Sequence, residues 1–367
     1  MKAVHQHQLS DPSQWNASLA ELPARQSEDG VIPAFFFAHG YPSVVFQSES
    51  AARRGLQSVG GPLHNFLKDF GPALMEKYRP KGIVVFSAHW ESPSKEIKVT
   101  DYGDDQPLLY DYYGFPPEFY KARWHSNGSS ELTQRVLACL KEAGMEASRT
   151  TRDEPRGRDG LVGPAPGLDH GVFIPFMLMF PEGNEKAFPI PVVQVSMDGS
   201  LDPERNIQLG QAVAALRRQG ILILSGGVTI HTFEDFHEWQ FESSSEAVKQ
   251  FEREIIKASL VEPTSERFKK MIDLTQLEGF RKAHPREDHF IPIYIAAGAG
   301  SDQGSTKIIS DIHGQFLSFY SSLVTAVLDQ LNPSLSPLSL SFTWIMHAQD
   351  VKLLHSGLSE SVPLVYF

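Results

Sequence analysis

Short apolar segments alternate along this chain with segments of helical periodicity, and this alternation is the feature that most constrains the fold. The apolar segments have the length of strands, and they are VIPAFFFAHG, GIVVFSAHW, PIPVVQVSM and ILILSGGVTIH. HNFLKDFGPALMEKY and IQLGQAVAALRRQG, which lie between them, carry apolar residues at helical spacing. Strands separated by helices predict an α/β fold, with a central, mostly parallel or mixed sheet flanked by helices.

The same pattern predicts three regions along the 367 residues. Residues 1–30 are rich in Gln, Ser and Glu, and we expect a flexible or weakly docked arm. Residues 31–325 carry the alternating pattern and are expected to form the folded domain. The pattern weakens over residues 326–367, which predicts a C-terminal extension that either docks on the core or makes a subunit contact.

The segment at residues 154–167 is dominated by glycine and proline and is expected to be an irregular loop. It carries Arg156 and Arg158, so it is a candidate lid or substrate-contact loop. A plain surface insertion is an equally good interpretation of this segment.

The charge and cysteine content restrict the partners and the compartment. The formal net charge of −11 argues against nucleic acid or an anionic membrane as a partner. The single cysteine, Cys139, excludes an intramolecular disulfide and a cysteine-based metal site. The first thirty residues lack the apolar core of a signal peptide, and no apolar segment has the length of a membrane span. We therefore expect a cytoplasmic protein that is a monomer or a small homo-oligomer.

Three of the predicted strands end in a histidine: His39, His89 and His231. The carboxyl ends of strands in an open α/β sheet are where ligands bind, because loops and helix N-termini converge there. Any one of these imidazoles alone is more simply explained by hydrogen bonds to neighbouring backbone. Three at equivalent positions favour a shared site, in a cleft at this edge of the sheet.

Two further histidines have suggestive surroundings. His170 lies between the glycine- and proline-rich loop and an apolar helix-like run, and His289 begins another apolar segment. Neutral imidazole is a common ligand for Zn²⁺ and also suits Fe²⁺. Three protein ligands with open positions would make such a site catalytic, and a further histidine beside the metal can serve as acid or base. The histidines expected to be solvated are His5, His7, His237, His347 and His355.

Two glycine-containing motifs carry weaker signals. Gly298, Gly300 and Gly304 do not have the spacing of a dinucleotide-binding loop, and no acidic residue ends a following strand. The stretch 225–227, Ser-Gly-Gly, lacks the frame of a nucleophile turn. We expect Gly226 and Gly227 in this stretch to let the backbone approach a ligand closely beside His231.

Five sequence blocks follow one another along the chain: AHG at 38–40, SAHW at 87–90, GLDHG at 167–171, SGGVTIH at 225–231 and EDHFIPIYIAAGAG at 287–300. In this order they resemble the signatures of the DOPA-dioxygenase-like branch of the class III extradiol ring-cleaving dioxygenases. The resemblance spans about residues 31–325, and it implies that this region is an extradiol dioxygenase-like catalytic domain. It further implies an α/β fold with a non-haem metal in a cleft, and O₂-dependent opening of a catechol ring next to its hydroxyls.

Carried over position by position, the resemblance implies a role for each histidine. His39, His89 and His289 would be the metal ligands. His231 would be the acid–base histidine that assists proton transfer from the catechol. His170 would contact the substrate or lie just behind the ligands.

Two other side chains are candidates for substrate contact. Trp90 follows a predicted ligand directly and is a candidate pocket wall, with simple loop packing as the alternative. Arg158, or Arg156, is a candidate partner for a substrate carboxylate.

The cofactor is expected to be one divalent metal ion, Zn²⁺ or Fe²⁺. Many class III enzymes hold Fe(II) with two histidines and one carboxylate. Here the third position is His289, with Glu287 and Asp288 adjacent, and three histidines also suit Zn²⁺.

The sequence therefore favours a metal-dependent extradiol dioxygenase that acts with O₂ on a small catecholic substrate, DOPA-like or other. A zinc hydrolase or lyase on the same scaffold is the first alternative, in which His231 activates a metal-bound water. A catalytically silent metal-binding protein is the second.

Overall fold

The computed structural model describes residues 12–22, 30–49, 58–156, 165–303 and 305–321. Arg158, the predicted C-terminal extension at 326–367, and His5, His7, His347 and His355 lie outside these ranges. No helix in the described part of the chain combines the length and the apolar character needed to cross a membrane.

The helices and strands follow one another largely as the sequence pattern predicts. The α-helices are α1 (Pro12–Ala20), α2 (Pro62–Tyr78), α3 (Ser130–Glu142), α4 (His170–Met179), α5 (Pro203–Val213), α6 (Glu246–Ser259), α7 (Thr264–Asp273), α8 (Glu278–Ala283) and α9 (Pro292–Ala299). The strands are β1 (Ala34–Ala38), β2 (Gly82–Glu91), β3 (Ile97–Thr100), β4 (Leu108–Leu109), β5 (Ala147–Thr150), β6 (Leu168–Asp169), β7 (Val192–Met197), β8 (Ile221–Gly227), β9 (Ser305–Ile312) and β10 (Gln315–Ser321).

Eight strands form one mixed sheet in the order β5-β3-β7-β2-β8-β1-β10-β9. The four central strands β7, β2, β8 and β1 run parallel to one another. β3 pairs antiparallel with β7, and β10 pairs antiparallel with β1. The predicted α/β fold, with a mostly parallel or mixed sheet flanked by helices, is confirmed.

The central strands are apolar on both faces because helices cover the sheet on both sides. Side chains alternate along β2, so that Ile83 and Val85 face one core with residues of α2 and α4. Val84 and Phe86 face the other core, with residues of α5 and α9. Burial on both faces explains why these strands are continuous apolar runs rather than alternating ones.

Helices α5 and α9 approach so closely that glycine is required at their contact. A Cβ at Gly298 would lie 2.0 Å from the carbonyl oxygen of Ile207, and one at Gly210 would lie 2.1 Å from that of Ile295. No side chain fits at either position. Helix packing therefore accounts for Gly298 without a nucleotide-binding role.

Part of the predicted flexible arm at residues 1–30 is docked. Residues 12–20 form α1, and the Trp15 side chain is fully buried. Its Nε1 donates a hydrogen bond to the Asp69 carboxylate at 2.8 Å, and its ring meets Phe66 edge to face. Within the arm that the sequence predicts to be flexible or weakly docked, this helix is docked, because one buried indole provides a large apolar anchor.

The sheet order places the predicted histidine-bearing strand ends side by side. β2, β8 and β1 are adjacent and parallel, so their carboxyl ends lie along one edge of the sheet. His39 directly follows β1, and His89 lies two residues before Glu91, the last residue of β2. His231 lies on the loop four residues beyond the end of β8.

Candidate metal centre

The backbone around β8 brings two of the candidate ligands together. The backbone N–H of His39 donates to the Gly227 carbonyl at 3.2 Å, and the N–H of Val228 donates to the His289 carbonyl at 3.0 Å. A Cβ at Gly227 would lie 2.6 Å from that His289 carbonyl oxygen. Gly227 thus makes room for the backbone that carries His289, and not directly for a ligand as the sequence suggested.

Ser225, the hydroxyl residue of the same stretch, has a structural role. Its side chain is fully buried, and its Oγ donates to the Pro292 carbonyl at 2.7 Å. This hydrogen bond ties β8 to the start of α9, so Ser225 is not an exposed nucleophile.

Three imidazoles converge at the bottom of a cleft. The Nε2 atom of His89 lies 3.2 Å from the Nε2 of His39 and 3.2 Å from the Nε2 of His289. Two nitrogens bound to one tetrahedral ion at zinc–nitrogen distances of 2.0–2.1 Å would lie about 3.3 Å apart. All three side chains are buried. The donor set and its spacing therefore fit a single divalent metal ion.

Carboxylates lie behind two of these imidazoles. The Nδ1 of His289 donates to Asp288 Oδ2 at 2.9 Å, and Asp111 Oδ2 lies 3.4 Å from the Nδ1 of His89. The Nδ1 atoms of His39 and His89 are buried without a hydrogen bond among the described residues. Carboxylates in this position orient a ligating imidazole and make it a stronger donor.

The surroundings keep two of the candidate ligands, His39 and His89, uncharged. Burial, and then the neighbouring imidazoles, lower the pKa of His39 and the pKa of His89 well below the ordinary value. Burial alone would raise the pKa of Asp288, but the charge and hydrogen bond of His289, together with the charges of His231 and Arg286, outweigh burial and lower the pKa of that carboxyl. Neutral imidazole, backed by an ionised carboxylate, is the form that binds a metal ion.

His170 is held at the start of α4 by Asp111. The Asp111 Oδ1 accepts from the His170 Nδ1 at 2.7 Å and from the His170 backbone N–H at 3.0 Å. Burial alone would raise the pKa of Asp111, but the charge and the hydrogen bonds of His170, together with the charge of Arg156, outweigh burial and lower the pKa of that carboxyl. Because Nδ1 is engaged, Nε2 is the nitrogen of His170 that remains for a ligand.

His231 lies flat against a candidate ligand. Its ring stacks on that of His289, with centroids 3.4 Å apart and planes 3° from parallel. Its backbone N–H donates to the Ala283 carbonyl at 2.8 Å, which fixes the loop. Burial, and then His289, lower the pKa of His231 well below its ordinary value. A neutral imidazole beside the cleft is able to accept a proton.

The five histidines line one cleft of about 190 Å³. Aromatic side chains dominate the rest of its wall, and the single carboxylate among the described lining residues is Asp111. The lining residues besides the histidines and Asp111 are Gly40, Tyr41, Pro42, Tyr112, Tyr113, Phe115, Val228, Phe233 and Trp239. A larger groove of about 620 Å³ between α3 and β5 contains none of these histidines.

Two predicted substrate contacts are not in the cleft. Trp90 is buried and does not line it, because successive strand side chains point to opposite faces and His89 faces the cleft. Arg156 stacks on the Trp90 ring, 4.0 Å from its centroid, and pairs with the buried carboxylate of Asp169. Its guanidinium is therefore committed to the protein interior. Arg158 lies outside the described residues and stays a prediction.

Sequence reasoning missed the carboxylates that orient the site. Asp111 lies in LLYDYYGFPP, where one acidic residue among aromatic residues was the available signal. Asp169, next to His170, is fully buried and accepts from Ser87 Oγ at 2.7 Å and from Gln194 Nε2 at 2.5 Å. For Asp169, its position directly before His170 in the GLDHG block was the available signal.

Three overlapping sets of side chains among the described residues are spaced closely enough to hold an ion. In the sets that include Asp111 or Asp288, a carboxylate oxygen already accepts a hydrogen bond from His170 or His289. The remaining set brings three Nε2 atoms together with no carboxylate between them. The sets are His39, His89 and His289; His89, Asp111 and His170; and His231, Asp288 and His289.

Comparisons with known proteins found a matching family model and similar proteins. Residues 33–326 match the family model described as the catalytic LigB subunit of aromatic ring-opening dioxygenase. A 4,5-DOPA dioxygenase extradiol-like protein of Schizosaccharomyces pombe is 39% identical over 308 residues, which cover 83% of this chain and 96% of that protein. A 4,5-DOPA dioxygenase extradiol of Beta vulgaris is 29% identical over 286 residues, 77% of this chain and 92% of that protein.

One solved structure shares the fold. It is the crystal structure of an uncharacterized protein from Escherichia coli K12, with a TM-score of 0.55 and 23% identity. The match covers 78% of this chain and 98% of that chain.

Proposed function

The chain belongs to the LigB family of extradiol aromatic ring-opening dioxygenases, and from this premise we propose that it opens a catechol-type ring with O₂ and one divalent metal ion. The observation that carries the proposal is the convergence of three imidazoles, in which the Nε2 of His89 lies 3.2 Å from the Nε2 of His39 and 3.2 Å from that of His289. We propose these three as the ligands, and residues 31–325 as the catalytic domain.

A divalent ion at this position would supply Lewis acidity and a template that orients the catechol and O₂. Asp288 holds the proton on the Nδ1 of His289 and so directs the Nε2 lone pair into the cleft. The Asp111 carboxylate lies on the Nδ1 side of His89 and supports the same orientation there.

We assign the proton transfers to the two remaining histidines of the cleft. His231 is neutral, so one of its ring nitrogens can take a proton from a substrate hydroxyl and return it later. His170, with Nδ1 bound to Asp111, presents Nε2 as the contact for the substrate. Both roles remain proposals that the variants in the Discussion test.

The cleft walls favour a single aromatic ring as the substrate. The cleft has a volume of about 190 Å³, which is below the roughly 300–1,000 Å³ typical of sites for drug-sized ligands. Tyr112, Phe115 and Phe233 contribute aromatic faces and edges to the wall. Such rings pack well on a catechol in offset or edge-to-face contacts. DOPA-like catechols, which the names of relatives mention, are the first candidates.

The metal is proposed to be Fe²⁺ or Zn²⁺. Reaction with O₂ by electron transfer favours Fe²⁺, because Zn²⁺ has no redox chemistry. The three-histidine donor set, however, is also that of a catalytic zinc site. That observation supports the alternative function, a zinc hydrolase or lyase in which His231 activates water.

Anaerobic reconstitution separates the two functions. Protein stripped of metal is loaded with Fe²⁺ or with Zn²⁺, and O₂ uptake is then followed with a panel of catechols that includes DOPA. We expect O₂ uptake and a ring-opened product with the iron form. Hydrolysis by the zinc form, with no O₂ uptake on any catechol by the iron form, would refute the dioxygenase proposal.

A cytoplasmic location, and a monomer or small homo-oligomer, complete the proposal. Cell fractionation and light scattering of the purified protein measure these two properties directly. A membrane-bound or secreted pool, or a large assembly, would contradict them.

A further inference from the structure

One arginine joins two carboxylates that lie behind the candidate ligands. The Nη1 and Nη2 of Arg286 donate to the Oε1 and Oε2 of Glu91, each at 2.5 Å. The Arg286 Nη1 also lies 3.5 Å from Asp288 Oδ2. The same Asp288 oxygen accepts the hydrogen bond from His289 Nδ1 at 2.9 Å. A continuous polar chain therefore runs from Glu91 through Arg286 and Asp288 to His289.

The burial of the two carboxylates shows why a cation is needed there. Glu91 is 3% exposed and Asp288 is 5% exposed. A buried carboxylate is costly unless an opposite charge and hydrogen bonds compensate it. Arg286 reaches both from a side chain that is 46% exposed. Its planar guanidinium matches the Glu91 carboxylate in two parallel hydrogen bonds, which lysine cannot reproduce.

The contacts between Glu91, Arg286 and Asp288 also connect two distant segments of the polypeptide. Glu91 ends β2, two residues after His89, whereas Asp288 directly precedes His289 on the loop before α9. Glu91 and Arg286 are 195 positions apart in the sequence. Arg286 therefore ties the strand that carries one candidate ligand to the loop that carries another.

We propose that Arg286 is a positioning residue for the metal centre. It holds Asp288 where that carboxylate accepts the proton of His289 Nδ1, and so it directs His289 Nε2 at the shared site. This inference rests on the proposed metal site, and it adds to that site a residue that touches neither metal nor substrate.

Metal affinity is the direct test. Metal-free wild-type, Arg286→Gln, Asp288→Asn and the double variant are titrated with Co²⁺ and with Zn²⁺ against a competing chelator. Loss of a group that orients a ligand usually weakens metal binding about 10–100-fold. We expect Arg286→Gln to fall within that range. The double variant should bind no more weakly than Asp288→Asn alone, because Arg286 acts through Asp288.

The Co²⁺ complex provides a readout that general destabilisation does not move. Its visible absorption reports the ligand geometry, and we expect a changed spectrum in Arg286→Gln at saturating Co²⁺. Arg281→Gln is the matched control, since Arg281 lies on the same segment but pairs with Glu287. Arg281→Gln should keep both the affinity and the spectrum of the wild type. If Arg286→Gln fails to fold, Arg286→Lys carries the same test with the charge retained.

Each outcome has a definite meaning. Wild-type affinity and spectrum in Arg286→Gln, or in Arg286→Lys where that variant replaces it, would overturn the inference and leave the metal site standing. Additive losses in the double variant would also overturn it, because Arg286 would then not act through Asp288. Failure of the wild-type protein to bind either ion would instead refute the proposed metal site.

Discussion

The imidazole rings of His231 and His289 stack with their centroids 3.4 Å apart and their planes 3° from parallel. The lone pairs of an imidazole lie in its ring plane. The lone pairs of two parallel imidazole rings are therefore parallel to each other and do not point at one shared ion. The Nε2 of His289 already lies 3.2 Å from that of His89. The stack thus places His231 beside the proposed ion rather than among its ligands.

This relationship predicts different losses in two histidine variants. His89→Ala should abolish metal binding, because it removes the central member of the three converging imidazoles. His231→Ala should retain the metal but lose about 10²–10⁴-fold in turnover, the usual contribution of an acid–base group. Metal content per chain and O₂ uptake check the two results, with the exposed His237→Ala as control. A metal-free His231→Ala protein would move His231 into the ligand set.

Asp111 is expected to matter for the site more than for the fold. Asp111→Asn keeps the shape but removes the charge that holds the His170 Nδ1 proton and faces His89 Nδ1. We expect about 10–100-fold weaker metal binding or turnover, as is typical when a carboxylate behind a histidine is lost. Chelator competition and steady-state kinetics measure this. Unchanged kinetics in Asp111→Asn would show that His170 does not need this partner.

Acid should destabilise the metal-free protein partly through His284. Burial, and then His289, lower the pKa of this histidine from 6.5 to about 3. Below pH 6.5 the unfolded chain takes up a proton that the folded chain does not, so the stability falls as the pH drops from 6.5 towards 3. This group alone contributes a slope of up to about 1.4 kcal/mol per pH unit.

Urea unfolding of the metal-free protein between pH 8 and pH 5 measures this slope. His284→Gln retains a donor for the Thr229 carbonyl, which accepts from His284 Nε2 at 2.9 Å, but it has no titratable group. The free energy of unfolding should therefore depend less steeply on pH in the variant. Equal slopes in the two proteins would contradict a neutral, buried His284.

Gly298→Ala should destabilise the fold without touching the cleft. The added Cβ would lie 2.0 Å from the Ile207 carbonyl oxygen, so α5 and α9 must separate. Overpacking of this kind costs about 1–3 kcal/mol or more. Denaturant unfolding measures the loss, and Gln208→Ala, an exposed position on α5, should change stability little. A Gly298→Ala protein as stable as the wild type would mean that this contact yields easily.

The fold and the histidine cluster were accessible from the sequence because both depend on local patterns. Apolar runs with intervening helical periodicity predicted the strands and helices in the correct order. The carboxyl ends of parallel strands meet at one sheet edge, so the sequence predicts that His39 and His89 lie near each other. The five ordered blocks predicted the family, and the match over residues 33–326 confirms it.

Only the tertiary structure revealed the contacts of several other side chains. Arg156 was expected near substrate but pairs with Asp169, and Trp90 faces away from the cleft. Trp15 anchors a helix in the arm that the sequence predicts to be flexible or weakly docked. In each case the contacting residues lie in another segment of the chain, so the local sequence does not identify them.

The sequence by itself therefore determined the α/β architecture, the family and the set of five histidines. The tertiary structure decided which side chains contact them and each other: Asp111 faces two imidazoles, and Arg286 lies between Glu91 and Asp288. The physical reason is that periodicity depends on neighbours a few residues away, whereas the Glu91–Arg286 pair joins positions 195 residues apart. Such a pair exists only once the sheet and the loop before α9 have packed together.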